Sequence, residues 1–143
     1  MHLTASLCTA FMLLNPWAAA QSTWELRDSL QIGSVTSFSE NFRGDIYLGL
    51  QTGDVIRFRA DGDQDLVYNT YPPSPVTAVN ALTGLQTMVY YEDLQQFLLL
   101  DRFLQPVGER LTLNQADGFI SALCTAADGL YWQVNQSRYS LQK

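Results

Sequence analysis

The run Asp61-Gly62-Asp63-Gln64-Asp65 sets three carboxylates at alternate positions. Calcium loops use that spacing because oxygen ligands must wrap one hard cation. Such a loop also wants glycine at its sixth position and a bidentate acid at its twelfth, and those places hold Leu66 and Pro72. The run therefore reads as a solvated hairpin turn, and no metal ligand set is expected. A second candidate is the adjacent pair Glu92 and Asp93, a carboxylate dyad of the kind a glycosidase or lactonase uses. Consecutive residues on a strand point to opposite faces, so the two would act together only in a loop. Nothing in the sequence sets two acids at the separations that glycoside hydrolysis requires.

Other catalytic chemistry is limited by composition. The single histidine is His2, the only lysine is Lys143, and the cysteines are Cys8 and Cys124. If the first 20 residues are removed, no histidine remains. That excludes Ser-His-Asp and Cys-His nucleophilic sites, imidazole-bound zinc and a histidine general base. One terminal lysine argues against Schiff-base chemistry, and no glycine-rich phosphate loop is present. No catalytic residue and no cofactor are expected. The net charge of -6, with 8 Lys+Arg against 14 Asp+Glu, argues against nucleic acid, whose phosphates need clustered cations. With 47% apolar and 12% aromatic residues, the chain can fill a core.

Residues 1–22 read MHLTASLCTAFMLLNPWAAAQS. The apolar stretch from Leu7 to Leu14 is too short to span a bilayer, which needs roughly 20 residues. Pro16 ends it, and Ala18-Ala19-Ala20 offers small residues for signal peptidase. The reading is a signal peptide over 1–20, cleaved after Ala20, although its start lacks Lys and Arg. Export to the periplasm or the medium follows, with no transmembrane segment. Cys124 would then be the one remaining cysteine, and it reads as a small apolar residue on a buried strand.

The remainder, 21–143, repeats itself. VTSFSENFRGDIYLGLQTGDVIRF begins at Val35, VTAVNALTGLQTMVYYEDLQQFLLLD at Val76, and ISALCTAADGLYWQVNQSRYSLQK at Ile120. Periods of 41 and 44 residues match four-stranded propeller blades. Each unit has a first apolar strand (Val35-Phe38, Val76-Asn80, Phe119-Cys124). A glycine turn and an aromatic-rich second strand follow (Ile46-Leu48, Met88-Tyr91, Leu130-Trp132). A polar turn and a third strand come next (Val55-Phe58, Phe97-Leu100, Tyr139-Leu141). Asp65-Asn69 and Glu109-Leu113 supply fourth strands for the first two units. The third unit has none, but an unassigned strand at Thr23-Arg27 precedes the first. Tyr131 and Trp132 read as core between blades.

The first repeat, V-T-x-F-x-E-x-x-x-G-D-I-Y-L-G-x-x-x-G-x-V-x-R-F over 35–58, resembles the propeller repeats of two-component-regulator sensor domains. The third keeps Asp128-Gly129-Leu130-Tyr131-Trp132, and the second is more degenerate. The resemblance covers about 110 residues and implies an all-β fold: a partial β-propeller of about three four-stranded antiparallel blades, near 35–69, 76–114 and 119–143, with 23–27 as a closing strand. Lectins, lactonases and scaffolds share such repeats, so the resemblance carries no particular activity.

A closed propeller needs typically 4 to 8 blades. Three leave two apolar sheet faces open. Either further blades belong to a longer chain of which this is a fragment, or a homodimer completes a six-bladed ring.

The loops joining second to third strands, and those between blades, gather on one ring face. They carry the candidate ligand-binding residues Gln51, Thr52, Tyr71, Asp93, Gln95, Gln115, Asp117 and Asn135. Amides and an aromatic suit neutral polar partners such as glycan or peptide backbone. Asn135-Gln136-Ser137 is also a glycosylation sequon. The expected function is an exported, non-catalytic binding or interaction module whose partner is a glycan, peptide or protein. The alternatives are a carboxylate-dependent hydrolase of lactonase or glycosidase type, and a structural part of an envelope assembly.

Overall fold

In a computed structural model of the chain, residues 29, 31–81, 83–114, 116 and 118–143 are described. The signal segment 1–20, the closing strand 23–27, and Gln115 and Asp117 lie outside them. The described residues hold eleven strands in three antiparallel sheets. Blade 1 contains β1 (Val35–Glu40), β2 (Ile46–Leu50), β3 (Val55–Phe58) and β4 (Gln64–Tyr68). Blade 2 contains β5 (Ala78–Asn80), β6 (Gln86–Tyr91), β7 (Gln96–Asp101) and β8 (Leu111–Thr112). Blade 3 contains β9 (Ile120–Thr125), β10 (Tyr131–Asn135) and β11 (Ser140–Gln142). Each sheet runs in chain order, as short hairpins dictate.

Turn chemistry fixes these hairpins. Gly44 and Gly129 both adopt positive φ, at 83° and 80°, in the turns between first and second strands. Residues with a Cβ pay a steric penalty in that region, so glycine suits both turns. Pairing then follows one register in all three blades. Ser39 lies opposite Tyr47, Asn80 opposite Met88, and Cys124 opposite Trp132. Because side chains alternate, a common register gives every blade the same two faces.

The core lies between sheets. Tyr47 and Val55 from blade 1 pack with Val76, Val79, Val89, Tyr91, Leu98 and Leu100 from blade 2 and the stretch leading into it. Met88, Tyr90 and Phe97 on the other face of blade 2 pack with Ile120 and Leu123 of blade 3. The rings of Phe97 and Tyr131 meet at 5.1 Å, so Tyr131 is core between blades as the sequence suggests.

Four details correct the sequence reading. β5 begins at Ala78, not Val76, because the Val76 amide donates to the Leu50 carbonyl of blade 1 at 3.2 Å. β8 shrinks to two residues after a bridge between Leu100 and Pro106 takes up the preceding chain. Cys124 is exposed rather than buried. Its cross-strand neighbour Trp132, expected in the core, is 37% exposed. Both sit on the face of blade 3 that no described sheet covers.

Candidate functional site

At the end of the blades that carries the β2–β3, β6–β7 and β10–β11 turns, the expected ligand residues divide into two groups. Gln51, Thr52, Tyr71 and Asp93 are exposed. Thr52 donates to the Asp54 carboxylate at 2.8 Å, and Asp54 in turn accepts the Thr70 amide at 3.0 Å, so this turn anchors the chain entering blade 2. Tyr71 stands on that connection with its ring in solvent. Glu92 and Asp93 lie in a turn, but Asp93 faces outward and Glu92 is half-buried.

Gln95 and Asn135 are buried instead. The Gln95 amide accepts the Ile120 N–H at 2.8 Å and donates to the Ile120 carbonyl at 2.9 Å, clamping blade 3 to blade 2. It also donates to the Tyr90 hydroxyl at 2.9 Å, and that hydroxyl donates to the same Ile120 carbonyl at 2.6 Å. Loss of water around Tyr90, and then the charge of Glu92, push its hydroxyl up to about 12. Asn135 accepts the Arg138 N–H at 3.0 Å, so its sequon lies in a closed turn. One edge of Gln95 still borders an open hollow of about 320 Å³ with Gly118, Phe119 and Ser137.

A larger cleft, about 390 Å³, opens at the opposite end of blades 1 and 2. Its walls are the turns between first and second strands of both blades and the turn after β7. Arg43, Arg57 and Arg102 line it together with Asn41, Asp45 and Phe103. Arg57 holds the Asp65 carboxylate through two N–H groups, at 2.9 and 2.6 Å, and donates a third bond to the Arg102 carbonyl at 2.7 Å. The guanidinium holds the Asp65 carboxyl below its ordinary range. Arg57 is thus neutralised, but it fixes the backbone that presents Arg102.

Arg43 and Arg102 make no salt bridge among the described residues. The Arg43 guanidinium lies 5.4 Å from the Phe42 ring, and that of Arg102 lies 4.7 Å from the Phe103 ring. Both phenylalanines are exposed. A guanidinium stacked on a ring keeps its planar fork free for a carboxylate or phosphate. Sequence reading missed this cleft. The available signal was an Arg-Phe neighbour pair in each of two turns, Phe42-Arg43 and Arg102-Phe103.

Among the described residues no cluster of His, Cys, Asp or Glu could hold a metal ion. Each acid of the Asp61–Asp65 run has another partner. Asp61 accepts the Asp63 amide at 3.1 Å, Asp63 pairs with Arg59, and Asp65 pairs with Arg57. No helix among the described residues is long and apolar enough to cross a membrane.

No protein-family model and no curated protein matches the chain. Solved structures do. Virginiamycin B lyase from Staphylococcus aureus aligns at 11% identity with a TM-score of 0.55, over 74% of this chain and 39% of the lyase. Its catalytically inactive histidine-to-alanine variant with quinupristin aligns at 11% identity and 0.56, over 76% and 40%. The Cps50 (Swd1) β-propeller domain from Myceliophteria thermophila aligns at 18% identity and 0.53, over 76% and 42%. These likenesses show the fold: the chain is a β-propeller module of all-β architecture. It spans about two fifths of the length of the structures it matches.

Proposed function

We propose that this chain is an exported, non-catalytic propeller module of the bacterial envelope that binds a protein partner through an acidic segment. The observation that carries the proposal is the pair Arg43 and Arg102. Both line one cleft without a carboxylate partner among the described residues, on a chain whose net charge is -6. An acidic protein that keeps two arginines unneutralised in a cleft has the donor geometry for carboxylates. The exposed rings of Phe42 and Phe103 add apolar contact beside each charge.

The exposed turn residues Gln51, Thr52, Tyr71 and Asp93 at the other end offer a weaker surface for glycan or peptide. The non-catalytic reading rests on the sequence, whose only histidine, His2, precedes the first repeat. The likeness of the repeats to those of sensor domains fits a recognition role equally well.

The proposal includes a second copy of the chain. The three described blades fall below the 4 to 8 that close a ring, and two copies supply six. The alternative is a longer chain that provides the other blades itself.

Titration of the protein with an oligoglutamate peptide, alongside a neutral glycan panel, tests the ligand. Binding should weaken as salt rises, and R43E/R102E should weaken it by about tenfold or more. Failure of the acidic peptide to bind overturns the reading, and turnover of a lactone or glycoside would overturn its non-catalytic part.

A further inference from the structure

The faces of blades 1 and 3 that no described sheet covers carry residues at the same repeat positions as the two joints within the chain. Counting from the first apolar residue of each repeat, Val35, Val76 and Ile120 hold one position. Val76 and Ile120 are buried against the blade before them, whereas Val35, with no described blade before it, is 44% exposed. Phe38, Val79 and Leu123 hold another such position. Val79 and Leu123 are buried, and Phe38 is 74% exposed. On the opposite face the order reverses. Tyr47 and Met88 are buried against the following blade, and their counterpart Trp132 is the exposed one. Among the described residues no blade precedes blade 1 and none follows blade 3.

Polar contacts repeat with the same spacing. The Ala81 amide donates to the Ser39 hydroxyl at 3.1 Å across the joint between blades 1 and 2. At the next joint the Thr125 hydroxyl donates to the Asn80 side chain. Ser39 and Asn80 share a position with Cys124, and Ala81 and Thr125 share one with Glu40. Each time, the residue opposite Tyr47 or Met88 meets the residue one place further along the first strand of the next blade.

From this we infer the register in which a second copy closes the ring. Blade 3 of each copy packs on blade 1 of the other, with Trp132 and Val134 against Val35 and Phe38, and Cys124 of one copy beside Glu40 of the other. The occupant is a second copy because this chain carries both halves of the joint. The register rests on the proposal that a second copy completes the ring. It is independent of the ligand assigned to the arginine cleft.

Glu40→Cys tests the register, because Cys124 is the only other thiol in residues 21–143. Residues 40 and 124 lie on the outward faces of blades 1 and 3, so a bond between them within one copy is excluded. Mild oxidation of the variant, followed by peptide mapping and light scattering, should show a 40–124 disulfide between chains in a two-chain particle. Its yield should exceed by about tenfold that from Asp61→Cys, an exposed turn position off the joint. A two-chain particle whose yield matches Asp61→Cys overturns the register and leaves closure standing. Single chains overturn both. The 40–124 bond in particles of more than two chains overturns closure by two.

Discussion

Gly49 and Val134 occupy the same place in blades 1 and 3, each opposite the third residue of its first strand, yet they live in different solvents. A Cβ added at Gly49 would stand 2.4 Å from Val76 Cγ1 and 2.6 Å from Ser37 Oγ. Val134 is a larger residue and is 41% exposed. The position has no size preference of its own. What differs is that a following sheet presses on blade 1 and no described sheet presses on blade 3. Surface chemistry in this molecule is therefore set by the neighbouring blade more than by the strand itself.

Paired substitutions sharpen that contrast. Met88→Ala empties a fully buried site at the joint between blades 2 and 3, so urea unfolding should show a loss of about 3 kcal/mol. Trp132→Ala at the matching open position should leave the unfolding of a single chain nearly unchanged and lower only the concentration-dependent part. Next in size, Gly49→Ala should cost about 2 kcal/mol through overpacking against Val76, while Val134→Ile should shift the same midpoint little. A large loss at Val134 in dilute protein would break the comparison.

Tyr90 supplies a smaller effect with a sign. Its hydroxyl is pushed up to about 12 from an ordinary 10.0, mainly by burial. The folded state therefore holds that proton where the unfolded state has lost it. Stability from this source is complete below pH 10 and falls as pH rises toward 12. Tyr90→Phe should flatten that alkaline slope and cost about 1 kcal/mol at neutral pH from the lost bond to Ile120. An unchanged slope in thermal melts between pH 9 and 12, bracketing the two values, would contradict the assignment.

The smallest effect belongs to Arg57 and Asp65, which lie near the surface. The Asp65 carboxyl sits below its ordinary 3.8 because Arg57 favours the charged form. Its contribution is present above about pH 4 and is lost as pH falls further. Asp65→Asn should cost less than about 1 kcal/mol in solvent. It should also loosen the Arg102 backbone, read as weaker oligoglutamate binding.

Local signals made the strands legible in the sequence. Glycine turns at Gly44 and Gly129, a 41-to-44-residue period and aromatic second strands placed the three hairpin units. What surrounds a face was not local. Cys124 and Trp132 lie on a strand pair patterned like the buried ones, and they are exposed on a face that no described sheet covers. Gln95 looked like any loop amide, since an amide bonds a ligand and a neighbouring backbone with the same two groups. Its commitment to Ile120 depends on a contact 25 residues away. Arg43 and Arg102 are far apart in the chain, and only the packing of blade 2 on blade 1 makes one cleft of them.

Sedimentation equilibrium of residues 21–143, over a hundredfold range of concentration, tests most directly whether the two open faces are halves of one joint. A particle of two chains that dissociates on dilution is expected, with Phe38→Asp and Trp132→Ser each shifting it toward single chains. A folded single chain at every concentration, unmoved by either substitution, would contradict it.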